Sequence, residues 1–257
     1  PAVVADLVGR QGLGNSSRHR LVLGGGSAGA RGALCNAEAV AHQLAAAGVA
    51  LAGLLLDAPM SVLSDSVARA AWSRFNLSGM EGGACLAAQA STPWRCFLPH
   101  VRLQYTPFRK LLLASTFDNV ASMASKDPEG YRRLVLNAAE NCSSAWVSTC
   151  RFHLATADPV TSVDCTSQWL ATAAFAAGRD FRLVDAASHP CPRSRDVCAA
   201  CERTFSTPLM PGPAPLPPPT ASSADRGSWK RRWPGAAAAA AALLVLSSVP
   251  ERAKRQR

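Results

Sequence analysis

Gly25, Ser27 and Gly29 spell G-x-S-x-G within the run LVLGGGSAGARGAL. That spacing suits a nucleophilic serine lifted onto a sharp strand-to-helix bend. Small residues two positions before and after it keep the bend clear of the neighbouring strand and helix. The amide of Ala28 then points at a developing oxyanion, with the field of a helix N-terminus behind it. Taken alone, the same letters describe a glycine turn ahead of a helix. A phosphate-binding loop would require a following Lys-Ser/Thr, and a dinucleotide fingerprint would require G-x-G-x-x-G with an acid after the next strand. GGGSAGA provides neither.

A serine nucleophile needs a general base and a carboxylate to orient that base. On hydrolase-type sheets the three follow the chain order Ser, Asp or Glu, His. Ser27, Asp118 and His153 satisfy this order, each beyond an apolar run. Asp57 also ends such a run, but it belongs to the strand next after the serine and is expected to shape the pocket or cap the following helix. His19 and His42 lie before the elbow or on its helix, and His100 precedes the acid. His189 sits in ASHPCP, where a disulfide-stapled loop is the ordinary reading.

These residues need elements to hold them. RHRLVLGG reads as a buried strand stopping at Gly24, and AGARGALCNAEAVAHQLAAAGV as a helix ending at Gly48. VALAGLLLDAP is a second strand ending at Asp57, SVLSDSVARAAWSRFNLSG a helix, and FRKLLLAST a third strand delivering Asp118. PEGYRRLVLNAAENC reads as an amphipathic helix, AWVSTCRFHLAT as a strand leading to His153, and SQWLATAAFAAGRDFRLVD as a closing helix. This alternation predicts an α/β fold with a mostly parallel, doubly wound sheet, whose functional groups gather beyond the carboxyl ends of the strands.

The 257 residues, 48% of them hydrophobic, suffice for one large domain with a tail. The expected division is a partial α/β domain over 1–204, a Pro-rich linker over 205–229 and a basic, Ala-rich tail over 230–257. Of the net charge of +10, +7 lies from Arg226 onward, so the domain is not read as a nucleic-acid binder. The tail sets about sixteen apolar residues between basic clusters, just below the usual spanning length of roughly 17–25. It is expected to be a low-complexity tail or a weak membrane anchor.

Nine cysteines with one close pair, Cys198 and Cys201, argue for disulfides over zinc, and no metal or cofactor is expected. Sequons at Asn15, Asn76 and Asn141 agree with an oxidising, secretory setting. The segment PAVVADLVGR is not a signal peptide, and the chain reads as lacking an N-terminal part.

LVLGGGSAGARGALCNAE, FDNV, WVSTCRFHLAT and DFRLVDAASHPCPRSRDVC resemble, in order and spacing, the pectin acetylesterase and Notum family of secreted carboxylesterases. The resemblance runs from about Val4 to Cys198. It implies an α/β-hydrolase-like fold, with Ser27 as nucleophile, Asp118 as orienting acid and His153 as base. It also implies that Cys85 and Cys96 bound a disulfide loop and that Cys191 and Cys198 form part of the closing disulfide region. The sequence departs from the family at Ala30, where a glycine is usual, and at Leu154, where plant-type members often carry cysteine. It also lacks a GGGW-like segment, which would supply the remaining oxyanion-hole amides.

The implied activity is hydrolysis of acetyl or other acyl esters, on an extracellular or cell-wall polysaccharide such as pectin, by a monomer without cofactors. One alternative is a catalytically impaired homologue that binds glycan or protein. A second is a protein deacylase of the Notum type.

Overall fold

A computed structural model of the chain describes residues 2–14, 19–75, 77, 83–121, 127–157, 162–164, 166–185, 187–188 and 190, together with the backbone of 242–246. Asn15, Asn76, Cys165, His189, Cys191, Cys198, Cys201 and the Pro-rich linker lie outside the described residues.

Short apolar runs form the strands because each is bounded by glycine, proline or polar residues and is flanked by helical stretches that cover it. Helix α1 (Ala2–Gly9) precedes strand β1 (Arg20–Gly26), which passes through Ser27 into the long helix α2 (Ala28–Ala46). Strand β2 (Leu51–Asp57) follows, then α3 (Asp65–Arg74), α4 (Gly83–Ala88) and α5 (Pro99–Tyr105). After β3 (Lys110–Ser115) come α6 (Pro128–Glu140), β4 (Ser144–Ser148), the two-residue strands β5 (Ser162–Val163) and β6 (Thr166–Ser167), α7 (Gln168–Ala176) and β7 (Arg182–Val184). Residues Ala242–Leu246 form β8.

The main sheet has the order β7-β4-β3-β2-β1-β8. Its first five members run parallel, and β8 joins β1 antiparallel with Arg20 opposite Leu246 and Gly24 opposite Ala242. Both faces are covered, as the unbroken apolar runs of a parallel sheet require. Leu21, Leu23, Leu54, Leu56, Leu112 and Ala114 pack with Ala30 and Leu34 of α2 and Tyr131 and Val135 of α6. The alternate residues Val22, Leu111, Leu113 and Trp146 pack with Ala171 and Phe175 of α7. Leu111, Leu112 and Leu113 are fully buried, each contributing about 1.5–3 kcal/mol. A satellite cluster of Ala68, Trp94, Leu98 and Val101 surrounds the Cys85–Cys96 disulfide between β2 and β3.

The mostly parallel α/β architecture is as expected from the sequence, with five local differences. Strand β1 runs two residues past Gly24, to Gly26. The stretch expected as one closing helix stops at Ala176, where Gly178 adopts φ +85°, and Arg182–Val184 returns as β7 beside β4. LPHVRLQYT contains α5, with proline at its first turn, and Ser162–Ser167 forms a small hairpin. Finally, residues 242–246 of the Ala-rich tail pair with β1 as a strand. Among the described residues no helix is long and apolar enough to cross a membrane.

Candidate active site

Four parallel strands bring Ser27, Asp57, Asp118 and His153 to one end of the sheet, beyond the carboxyl ends of β1 to β4. Ser27 has φ 52° and ψ −117°, a region that L-residues rarely occupy. Two features force it there. A Cβ on Gly25 would stand 2.4 Å from the carbonyl carbon of Gly29 and 2.8 Å from the amide of Ala30, so α2 can approach β1 only because residue 25 is glycine. The Ser27 N–H also donates to the Asp57 carbonyl at 2.8 Å, pinning the bend to the end of β2. Ala28, an exposed residue, begins α2, so its amide has no earlier helical carbonyl to bond. Ala30, where the family has glycine, is fully buried in the core against the sheet.

Asp118 is completely buried. Its Oδ1 accepts the N–H groups of Val120 at 2.7 Å and Ala121 at 2.8 Å, which turns the loop after β3 back on itself. Its Oδ2 lies 2.8 Å from His153 Nδ1 and accepts a long contact of 3.5 Å from the Tyr131 hydroxyl. The Tyr131 phenol is pushed above its ordinary range, first by burial and then by the adjacent Asp118 carboxylate, so it stays protonated and can donate to that carboxylate. The His153 side chain is 23% exposed against 0% for Asp118. The imidazole thus has one edge on a shielded carboxylate and the other toward solvent.

His153 follows β4 on a loop whose next residue touches the elbow: a Cβ on Gly26 would lie 3.0 Å from Leu154 Cδ2. The residue before Ser27 and the residue after His153 are therefore in contact range. Leu154 fills the space against Gly26. The loop is tied to β3, since Ser115 Oγ donates to the Cys150 carbonyl, and Cys150 is itself disulfide-bonded.

Of the two roles expected for Asp57, shaping the pocket or capping the next helix, the structure does not show the second. Ser64 caps α3, its hydroxyl accepting the Val67 N–H. The Asp57 carboxylate instead accepts the N–H groups of Ala155 and Thr156, both at 2.9 Å, and the Thr156 hydroxyl at 2.6 Å. It thereby caps the 3-10 turn Ala155–Ala157 beside His153.

Of the other residues singled out by sequence, Cys85 and Cys96 are joined. Asn141 is exposed at the C-terminal end of α6, with its amide donating to the Asn137 carbonyl. Tyr131 and the true target of Asp57 carried no sequence signal. Tyr131 reads as one more apolar-face residue of α6, and the Asp57 partners lie nearly a hundred positions away. Among the described residues no three His, Cys, Asp or Glu side chains are grouped to hold a metal ion.

No family model and no curated protein matches the chain. Solved structures do. Two crystal forms of the Wnt deacylase Notum from Drosophila superimpose with TM-scores of 0.62 and 0.61, at 20% and 19% identity. The fold is that of an α/β hydrolase. The matched region covers 74% and 75% of this chain, but the chain spans less than two thirds of those proteins' own length, 63% and 64%.

Proposed function

We propose that the chain is a serine carboxylesterase, with Ser27 as nucleophile, His153 as general base and Asp118 as the group that orients it. The observation carrying this reading is the combination of a strained serine on a strand-to-helix bend with a buried carboxylate 2.8 Å from the imidazole of the adjoining loop. With Nδ1–H donating to Asp118, Nε2 is the free basic nitrogen. It takes the Ser27 hydroxyl proton as Oγ bonds to the ester carbonyl carbon. The tetrahedral intermediate collapses by breaking the bond to the alcohol oxygen, which leaves with that proton. Water then attacks the acyl-serine, giving its proton to His153, and release of the acid returns the proton to Ser27. The Ala28 amide stabilises the oxyanion in both halves, a contribution worth about 100- to 1,000-fold per donor.

The substrate class is an acyl ester. A resemblance to pectin acetylesterases favours acetyl groups on polysaccharide, whereas structural likeness to a deacylase favours an acyl group on a protein. The disulfide fits an extracellular setting for either substrate. Hydrolysis of p-nitrophenyl acetate and p-nitrophenyl octanoate by the full chain tests both points. Ser27→Ala is expected to abolish turnover and His153→Ala to leave only a small residual rate, and a preference for octanoate of tenfold or more in kcat/KM would select the deacylase reading. Turnover that survives Ser27→Ala would refute the proposal.

A further inference from the structure

We propose that Asp57 is a positioning residue that sets the nucleophile and the base relative to one another, an inference resting on the esterase reading above. Its backbone carbonyl holds the Ser27 N–H, and its carboxylate holds Ala155 and Thr156, two and three positions after His153. One residue at the end of β2 therefore grips both the loop after β1 and the loop after β4. A further contact between those loops, Leu154 on Gly26, is apolar and non-directional, so the Asp57 hydrogen bonds are the ones that fix its geometry.

Three features mark the arrangement as more than a helix cap. The side chain is 1% exposed, a costly place for a carboxylate unless donors surround it. All three of its contacts are N–H or O–H donors, matching the acceptor-only ionised form. Although burial pushes the Asp57 carboxyl upward, the Thr156 and Ala155 hydrogen bonds and the charge of His153 act against that shift. The next residue, Ala58, has φ 51° and donates its N–H to the Leu113 carbonyl at 2.8 Å, so the backbone is held in a left-handed bend just where Asp57 must turn.

In the full chain, Asp57→Asn keeps the shape and removes the charge and at least one acceptor. We expect kcat for p-nitrophenyl acetate to fall by about 10- to 100-fold, with KM changed less than about twofold, as for a misplaced base. In a His153→Ala background the same substitution is expected to leave the residual rate unchanged, because the loop it positions no longer carries a base. Amide exchange at Ala155 and Thr156 is expected to accelerate by about tenfold or more while α6 keeps its protection. If Asp57→Asn does not fold, Thr156→Val removes only the hydroxyl contact, and kcat is expected to fall by about threefold to tenfold.

Equal losses from Asp57→Asn with and without His153, unchanged exchange at 155 and 156, or an unchanged kcat in the variant used overturn the positioning role while Ser27→Ala remains inactive and His153→Ala retains only its small residual rate. Full activity in those last two variants overturns the esterase reading instead.

Discussion

Substituting alanine for Gly25 probes whether the elbow is a packed structural device or a permissive turn. The added Cβ would lie 2.4 Å from the Gly29 carbonyl carbon and 2.5 Å from its oxygen, against 3.4 Å or more for an ordinary contact. These are backbone atoms of α2, so no rotamer change relieves the overlap, and the helix start and β1 must separate by about 1 Å. Overpacking of this kind costs about 1–3 kcal/mol. At about 2–4 °C per kcal/mol for a domain of this size, the melting temperature should fall by about 2–12 °C. Because Ser27 and the Ala28 amide ride on the displaced segment, ester hydrolysis should fall further than stability, by about 100-fold. Gly83→Ala is the control, since nothing lies within 4 Å of its Cβ at the start of α4. Calorimetry and p-nitrophenyl acetate hydrolysis read the two effects. A Gly25→Ala chain that melts within about 1 °C of the parent and keeps more than half its rate would refute the reasoning.

Three further outcomes are expected. Ser27→Gly relieves a backbone strain of about 1–3 kcal/mol at φ 52°, so it should raise the melting temperature while ending hydrolysis, and a lower one would contradict the strain argument. The His100 pKa is held below its ordinary 6.5, first by burial and then by Arg95, with Asp65 opposing, and its Nδ1 is buried without a partner among the described residues. The unfolded chain therefore takes a proton that the folded chain refuses. Urea midpoints should accordingly fall as pH drops below 6.5 and level off below the folded value, and His100→Leu should flatten that slope. Burial pushes the Cys142 thiol up to about 12 against the pull of Lys110 and Arg182, so iodoacetamide at about pH 8 should spare it until denaturant is added.

The strands and the long helices were legible because their signals are local. Leu111, Leu112 and Leu113 form an unbroken apolar run, which only a strand buried on both faces accommodates, and glycine or polar residues close each element nearby. The elbow was legible for the same reason: Gly25 and Gly29 are four positions apart and meet across one turn. What could not be read was pairing across distance. The run after α7 carries three strand residues, too few for alternation to register, and only the neighbouring β4 makes Arg182–Val184 a strand. The apolar stretch of the tail has a composition suited to a span or to a loose tail, and its pairing with β1 depends on an edge that the local sequence does not describe.

The site repeats this division and shows why one acid was harder to place than the other. The pairing of Asp118 with His153 was legible because order along the chain restricts which carboxylate can meet a later histidine. The neighbours Val120 and Ala121, which hold Asp118, are local as well. Asp57 was read as shaping the pocket or capping a helix, because the nearest downstream helix is the usual client of an Asp at a strand end. That helix has its own cap in Ser64, which leaves Asp57 free for a turn formed ninety-eight residues later. In a parallel sheet the ends of adjacent strands are neighbours whatever their separation in sequence, so an acid at the end of β2 stands between the serine on β1 and whatever the loop after β4 presents. A buried carboxylate there needs donors, and the turn beside His153 supplies three. The requirement that stabilises the acid is therefore the same one that anchors the base, which is why stability and turnover should fall together in Asp57→Asn but part company in Ser27→Gly.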